Sequence, residues 1–196
     1  MLNLSNPITL SPTQIKKIQK FGTLRPEYWE KNETCLRKQI KKDTYSLQDG
    51  KCVYCGCTEE FIEVCDVDHI AHKAKYPEFM FTPQNLALSC KVCNSVFKGT
   101  VDTISKYDPN YDKCEFNIIH PYFDDVSRFF DTSEAIIVIK KDNLNRNELK
   151  KAQYTFKIFR WGEERMISKR AKNINQERYN KNIINQVKEA SSFLPN

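Results

Sequence analysis

The spacing of the cysteines restricts the fold of this chain more than any other feature. Cys52 and Cys55 form one C-x-x-C motif, and Cys90 and Cys93 form a second, with 34 residues between the two motifs. Each motif can place two thiolates on one ion at about 2.3 Å, and two motifs complete a tetrahedral site with no open position. The spacing therefore predicts a structural zinc ion, while a redox role or plain core packing stays open for either motif alone. Cys57 is a further candidate ligand, but the paired spacing favours Cys55.

The remaining cysteines, together with the lack of a recognisable targeting segment, indicate the cellular compartment that we expect. Cys35, Cys65 and Cys114 follow no ligand pattern and are expected to be small buried hydrophobes. The sequence has no apolar run of the roughly 18 residues that a membrane span needs, and residues 1–14 do not resemble a signal peptide. We therefore expect a soluble, cytoplasmic protein with no membrane partner, a setting in which cysteines bind metal more often than they form disulfides.

Local patterns predict short elements on both sides of the cysteine motifs. Ser11 and Pro12 are typical of a helix start, Asp49-Gly50 of a chain break and Gly99 of a helix end. The predicted elements are helices over 11–21 and 26–47, a cysteine loop over 51–58, a strand over 62–70, a loop leading into a second strand over 81–88, a helix over 91–98, strands over 114–120 and 135–139, and two helices from 145 onwards.

The charged residues are unevenly distributed around a net charge of +6. Residues 1–50 hold nine Lys and Arg against five Asp and Glu, residues 51–140 hold nine against fourteen, and residues 141–196 hold thirteen against six. A basic frame of this kind suits a polyanion, and an acidic centre suits a divalent cation. The alternative is that these charges are solvated helix faces.

Short polar segments follow one another in a fixed order between and beside the cysteine motifs. They read DVDHI at 66–70, NL at 85–86, CKVCN at 90–94 and KG at 98–99. In this order and at these distances the sequence resembles the HNH endonuclease superfamily over residues 50–100, about a quarter of the chain. The resemblance implies a ββα-metal fold and metal-dependent hydrolysis of phosphodiester bonds.

Hydrolysis of a phosphodiester needs a base that activates water and a cation that neutralises charge on the phosphate and the leaving oxygen. The resemblance implies that His69 is this base, because a neutral imidazole accepts a proton at cellular pH. It implies that Asp68 and Asn94 hold Mg²⁺ or Mn²⁺ through oxygen atoms. It also implies that Asn85 fixes the base by hydrogen-bonding the loop and that Lys98 contacts the phosphate. Because Asp68 and His69 are adjacent, they can serve one site only if the strand ends or twists there.

Neighbouring positions add candidates and two departures from the family pattern. Asp66 shares the strand face of Asp68 and is a further candidate ligand or charged neighbour, whereas His72 is a poor candidate for the base. Asn94 stands in the third motif position, where many relatives have His, and this favours an oxygen-preferring ion over zinc or nickel at the catalytic position. Residues 95–97 lack the arginines of many relatives, so the flanking regions are expected to supply more of the phosphate contacts.

The C-terminal third interleaves aromatic and basic side chains, for which two interpretations stay open. Such residues stack on bases and contact phosphates in nucleic-acid-binding proteins. In the other interpretation, which we favour for the aromatic residues, the rings pack on the core, while the basic residues give salt-dependent affinity for nucleic acid. The residues are Phe156, Phe159 and Trp161 with Lys157, Arg160, Arg165, Lys169, Arg170 and Lys172.

The sequence as a whole predicts an α+β fold with a ββα-metal, treble-clef-like HNH core and flanking helices at both termini. The expected domains are an N-terminal helical arm over 1–48, the nuclease core with structural zinc over 49–104, and a C-terminal α/β extension with basic helices over 105–196. The expected function is a metal-dependent DNA endonuclease in restriction, phage defence or a mobile element, working with a targeting or ATPase partner subunit. A non-catalytic zinc-ribbon module that binds nucleic acid or protein and an RNA-cleaving nuclease are the alternatives.

Overall fold

The computed structural model describes residues 1–31, 36–58 and 65–192 and has the expected α+β architecture. Cys35 and the first part of the predicted strand over 62–70 lie outside these ranges. The helices are α1 (Pro12–Gln19), α2 (Glu27–Lys31), α3 (Leu36–Leu47), α4 (Val126–Phe129), α5 (Arg146–Ile158) and α6 (Glu164–Ser192), with a π-helix at Val92–Lys98. The strands are β1 (Cys65–His69), β2 (Leu86–Cys90), β3 (Ile104–Lys106), β4 (Glu115–Phe116), β5 (Phe130–Asp131) and β6 (Val138–Ile139).

The first helix begins where the sequence predicts. The Ser11 backbone N–H donates to Gln14 Oε1 at 2.6 Å, and the Gln14 backbone N–H donates to Ser11 Oγ at 3.3 Å. This reciprocal pair is a capping box, which satisfies backbone donors that a helix start leaves free. The helix predicted over 26–47 appears as α2 and α3, and residues 32–35 between them are not described.

The N-terminal helices pack directly on the motif-bearing part of the chain. Trp29, Leu36 and Ile40 are buried in one apolar cluster with residues of the β1–β2 region. Tyr28 is only partly buried beside this cluster, and Trp29 occupies the inward position. The arm is therefore attached to the core by a shared hydrophobic cluster, whose other members are Ile8, Val67, Met80, Phe81 and Leu86.

The centre of the protein is an antiparallel β-ribbon followed by a helix. β1 and β2 pair in continuous register, from Cys65 opposite Cys90 to His69 opposite Leu86. The π-helix follows β2 at once and ends at Gly99, whose N–H donates to the Asn94 carbonyl oxygen at 2.7 Å. The predicted ββα core is confirmed, with one helical segment of wider hydrogen-bond spacing than an α-helix.

The strands predicted over 114–120 and 135–139 are reduced to two residues each, β4 and β6. Ile118 and Ile119 are fully buried in the main core without strand pairing, and the Ile119 N–H donates to Thr155 Oγ1 at 2.8 Å. The apolar run in the sequence therefore reflects burial of an irregular segment, which a short hydrophobic run alone does not distinguish from a strand.

The segment that joins α5 to α6 confirms the core-packing interpretation for Phe159 and Trp161, while Phe156 within α5 is partly buried against the same core. Phe159 and Trp161 are fully buried, and the Phe159 ring stacks on Tyr54 with centroids 4.0 Å apart. Arg170 is also buried, and its guanidinium donates to the carbonyl oxygens of Ala135 and Trp161. Of the helices in the described ranges, none combines the length and the apolar character needed to cross a lipid bilayer.

Candidate active site and metal centre

The four motif cysteines come together at one end of the β-ribbon. The Sγ atoms of Cys52, Cys55, Cys90 and Cys93 all lie within 4.8 Å of one another, and all four residues are buried. A tetrahedral ion with bonds of about 2.3 Å requires sulfur atoms roughly 3.8 Å apart, so this donor set fits zinc. Cys57 lies outside this group of sulfur atoms, as the paired spacing predicts.

The thiols of this cluster influence one another strongly. Burial acts to raise the pKa of Cys52, but hydrogen bonds from the other three thiols outweigh burial and hold that pKa well below its usual value. Hydrogen bonding to Cys52 in turn raises the pKa of Cys55, Cys90 and Cys93. Zinc binds cysteine as the thiolate, so a divalent cation held by this cluster would favour ionisation of all four sulfurs.

A separate cleft of about 330 Å³ lies beside the ribbon and has three walls. Residues of α2 and α3 form the first wall, the end of β1 and the loop after it form the second, and the π-helix with the turn after it forms the third. The cleft brings together His69, Asp68 and Asn94, together with Asp66 and His72. Asn85 and Lys98 are buried behind its surface.

His69 ends β1 and is oriented from two sides. Its Nε2 lies 3.1 Å from the Met80 carbonyl oxygen, and the edge of the Trp29 ring meets the imidazole at a centroid distance of 4.4 Å. A carbonyl oxygen only accepts, so Nε2 carries the hydrogen and Nδ1 keeps the lone pair. Burial, followed by the nearby charges of Lys73 and Lys98, lowers the pKa of His69 well below its usual value. The imidazole is therefore neutral and can accept a proton at Nδ1.

The Asp68 carboxylate accepts hydrogen bonds from two buried side chains that do not contact His69 in this way. Tyr54 donates its hydroxyl to Oδ2 at 2.6 Å, and Lys98 donates from Nζ to Oδ1 at 3.0 Å. Burial raises the pKa of Tyr54 well above its usual value, so the hydroxyl stays protonated and donates. Lys98 is 1% exposed, which differs from the surface position that the predicted phosphate contact requires. Its ammonium neutralises Asp68 instead.

The remaining oxygen-bearing residues differ in how they meet the cleft. Asn94 is half-buried on the cleft surface, and its amide oxygen is a hard donor of the kind that Mg²⁺ and Mn²⁺ prefer. The Asp68 carboxylate is a donor of the same kind, but both of its oxygens already accept hydrogen bonds from Tyr54 and Lys98. Asp66 accepts from Arg37 Nη2 at 2.9 Å and from the Val67 N–H at 2.8 Å, which makes it a charged neighbour at the cleft margin.

Asn85 is fully buried and uses both ends of its amide. Its Oδ1 accepts from the Ala71 N–H at 2.6 Å and from the Tyr111 hydroxyl at 2.9 Å. Its Nδ2 donates to the carbonyl oxygens of Ala71 at 3.1 Å and Phe79 at 2.9 Å. Asn85 therefore closes the loop between the strands, and that loop also carries the Met80 carbonyl that orients the base.

Several residues of the site were not singled out by the sequence reasoning. Each of them contacts a predicted site residue. Trp29 packs beside the His69 imidazole, and Tyr54 donates a hydrogen bond to Asp68. The Tyr111 hydroxyl donates to Asn85 Oδ1 and lies 3.0 Å from His120 Nε2. Only Tyr54 carried a usable signal, because it lies inside the first C-x-x-C motif. The others come from distant parts of the chain.

Comparison with known families matches the geometry. The family model described as HNH endonuclease matches residues 52–96, from the first zinc-motif cysteine into the π-helix. Residues 52–96 are an HNH domain. The family predicted from the ordered segments is thereby confirmed, and the HNH domain contains the cysteine cluster, β1, β2 and most of the π-helix.

Curated relatives extend the similarity beyond the HNH domain. The chain is 33% identical over 111 residues to Septu protein PtuB of Bacillus thuringiensis, covering 56% of this chain and 40% of that protein. It is 35% identical over 118 residues to protein ea31 of Escherichia phage lambda, covering 60% of this chain and 36% of that protein. The chain thus spans about two fifths of the length of these relatives.

Proposed function

We propose that this protein is a metal-dependent endonuclease that hydrolyses phosphodiester bonds in DNA. The observation that carries the proposal is the position of His69, whose Nε2 lies 3.1 Å from the Met80 carbonyl oxygen in the cleft that His69 shares with Asp68 and Asn94. A base, an oxygen donor set and an open cleft are the three requirements of phosphodiester hydrolysis assisted by a divalent cation.

Each group has a distinct role in this proposal. His69 Nδ1 accepts the proton of the attacking water, and its Nε2–H bond to Met80 keeps the ring in that orientation. Asp68 and Asn94 would hold Mg²⁺ or Mn²⁺, which when bound neutralises charge on the phosphate and the leaving oxygen. Tyr54 keeps the Asp68 carboxylate in place, and Asn85 keeps the loop closed. Zinc in the cysteine cluster would fasten the start of the π-helix to the loop before β1.

The biological setting is proposed from the two relatives. One relative is bacterial and the other is encoded by a phage, which supports a role in restriction, phage defence or a mobile element. Those relatives have further sequence outside the matched region, which leaves a place for targeting functions. In the present chain, a targeting or ATPase partner subunit would supply such functions.

The proposal is tested by incubating the purified protein with supercoiled plasmid in Mg²⁺, Mn²⁺ or EDTA, with a structured RNA in parallel. The expected result is metal-dependent nicking or linearisation of the plasmid. His69→Ala is expected to lose about 10²- to 10⁴-fold in rate, the usual contribution of a general base, while it keeps its zinc. His72→Ala serves as the matched variant, because its ring lies in the same cleft, and it is expected to keep cleaving.

Other outcomes separate the alternatives. Loss of cleavage in His72→Ala with retention in His69→Ala would reverse the assignment of the base. Preferential cleavage of the RNA would favour the RNA-directed nuclease. A protein that binds zinc but cleaves neither substrate would support the non-catalytic module, a candidate favoured by one observation: both Asp68 oxygens already have donors within the protein.

A further inference from the structure

The cleft carries two cations to which the HNH motif gives no role. Of the described residues that line the cleft, two carry a positively charged arginine or lysine side chain, namely Arg37 and Lys73. Lys98, predicted to contact the phosphate, is 1% exposed and lies 3.0 Å from Asp68. Arg37 and Lys73 are therefore the cations that a phosphate in the cleft can reach.

Both cations are held by carboxylates that are more exposed than they are. Glu30 lies 3.0 Å from Arg37 Nη1 and 3.5 Å from Lys73 Nζ, and Asp66 lies 2.9 Å from Arg37 Nη2. The Arg37 and Lys73 side chains are 23% and 25% exposed, against 57% for Glu30 and 41% for Asp66. Exposed ion pairs are weak, so an entering phosphate can replace the carboxylates without moving the cations.

Arg37 also lies close to the proposed base. Its guanidinium carbon is 5.9 Å from the centroid of the Trp29 ring, and that ring meets His69 at 4.4 Å. A phosphate bound by Arg37 would thus be separated from the base by one indole ring. The planar guanidinium suits this position, because it binds phosphate oxygens through two parallel hydrogen bonds.

The charge of the cleft lining links this binding to the metal. The carboxylates of Glu30, Asp66 and Asp68 are balanced by Arg37, Lys73 and the buried Lys98, which is paired with Asp68. The cleft is therefore close to neutral, and a divalent cation bound there would make it attractive to a polyanion.

We propose that Arg37 and Lys73 form a subsite for backbone phosphates of DNA, with Glu30 and Asp66 holding both cations in position before DNA binds. The inference rests on the proposed function and names the residues that hold its substrate. The N-terminal arm, through Arg37, is then part of the nuclease site. The competing account is that these ion pairs only fasten the arm to the core, which would affect stability and not DNA affinity.

The test measures binding of a short fluorescein-labelled DNA duplex to the full chain by anisotropy over a series of KCl concentrations. All proteins carry His69→Ala, so that Mg²⁺ can be present without cleavage. Arg37→Ala and Lys73→Ala are each expected to weaken binding about five- to tenfold and to lower the salt slope by about one, as for one lost phosphate contact. Arg37→Lys is expected to keep the slope, because it keeps the charge, while losing part of the affinity.

Two matched variants remove cations with similar partners outside the cleft. Arg128 is paired with Glu148 at 2.8 Å, and Lys106 with Glu115 at 3.2 Å. Arg128→Ala and Lys106→Ala are expected to leave both the affinity and the salt slope unchanged. Replacing Mg²⁺ by EDTA is expected to weaken binding by the parent protein.

The outcomes separate this inference from the proposed function. An unchanged salt slope in both Arg37→Ala and Lys73→Ala, with or without a lower unfolding temperature, would overturn the subsite while plasmid cleavage by the wild type still stood. A chain that neither binds the duplex at low salt nor cleaves plasmid would overturn both proposals. A loss of slope confined to the cleft variants supports the subsite even where no cleavage is seen.

Discussion

Asp68 depends on two neighbours of different chemistry, the Tyr54 hydroxyl and the Lys98 ammonium, and both are as buried as the carboxylate itself. A buried ion pair costs desolvation of both charges and is stable only where further hydrogen bonds complete it. The Tyr54 hydroxyl supplies such a bond at 2.6 Å. The orientation of the proposed metal ligand therefore rests on an aromatic residue from the zinc loop.

Removing the Tyr54 hydroxyl should destabilise the protein more than removing a hydroxyl that donates to an uncharged acceptor. Tyr54→Phe keeps the stacking on Phe159 but loses a bond to a charged group, for which we expect about 1.5–3 kcal/mol of unfolding free energy. Tyr122→Phe is the matched control, because the Tyr122 hydroxyl donates to the Leu86 carbonyl oxygen at 2.9 Å. Its expected loss is about 0.5–1.5 kcal/mol. Urea unfolding with zinc present measures both, and equal losses would count against the Asp68 contact.

At this scale the sequence identifies residues by chemistry and order, but not their partners. The four motif cysteines were selected from their spacing, and Asp68, His69 and Asn94 from the resemblance to the HNH superfamily. The structure brings the cysteines to one sulfur cluster and the other three residues to one cleft. Their roles in metal binding and catalysis stay predictions. The Met80 carbonyl oxygen belongs to the backbone and leaves no side-chain signal in the sequence. Lys98 was predicted to contact the phosphate, and its burial against Asp68 could not be predicted, because a helical pattern does not reveal which side of a helix is buried.

The π-helix is the element that joins the two centres, since it begins beside the zinc-site cysteines and passes Asn94 before it ends. Gly99 ends it with φ +49° and ψ −124°, a conformation that residues with a Cβ rarely adopt. A Cβ there would meet its nearest atom, the Ser95 carbonyl oxygen, at 3.5 Å, so the cost of a side chain is backbone strain and not overlap.

Gly99→Ala is therefore expected to destabilise the protein by about 1–3 kcal/mol, the usual cost of a strained backbone conformation. Ser95→Ala on the exposed side of the same helix is the control, with an expected change within about 0.5 kcal/mol. Chemical denaturation of both variants measures the difference. A neutral Gly99→Ala would mean that this turn relaxes without cost.

The elements were predicted well where local chemistry defines their ends. Ser11 and Pro12 mark the start of α1, and Gly99 marks the end of the π-helix, because caps are local interactions. The predictions of strands over 114–120 and 135–139 were largely wrong, because interactions distant in the sequence define those segments. Ile118 and Ile119 are apolar because the whole core covers them, and that information is not present in a seven-residue window.

At the scale of the whole molecule, the main core surrounds the cysteine cluster, with residues from the N-terminus to α6 in one apolar group. Structural zinc in such sites contributes about 10–16 kcal/mol of apparent binding free energy, compared with about 5–15 kcal/mol for the stability of a whole domain. Loss of the ion is therefore expected to remove most of the folding free energy.

Cys55 and Cys57 offer a matched pair for this expectation. Both are buried and they are two positions apart, but only Cys55 belongs to the group of close sulfur atoms. Cys55→Ser is expected to lose zinc and to unfold, and Cys57→Ser is expected to keep one zinc per chain and an intact fold. Zinc content by a chromogenic chelator and circular dichroism measure both. If Cys57→Ser lost zinc and Cys55→Ser kept it, Cys57 would replace Cys55 as the zinc ligand.

The three walls of the cleft come first from Trp29, Glu30 and Arg37, then from residues 66–73 and last from residues 94–100, so they leave the ribosome in that order. The cleft has no third wall until synthesis has passed Thr100. Tyr54, which holds Asp68, has no stacking partner until Phe159 has also been made. Assembly of the site is thus delayed until most of the chain exists, and a nascent chain that stops early leaves the cleft incomplete.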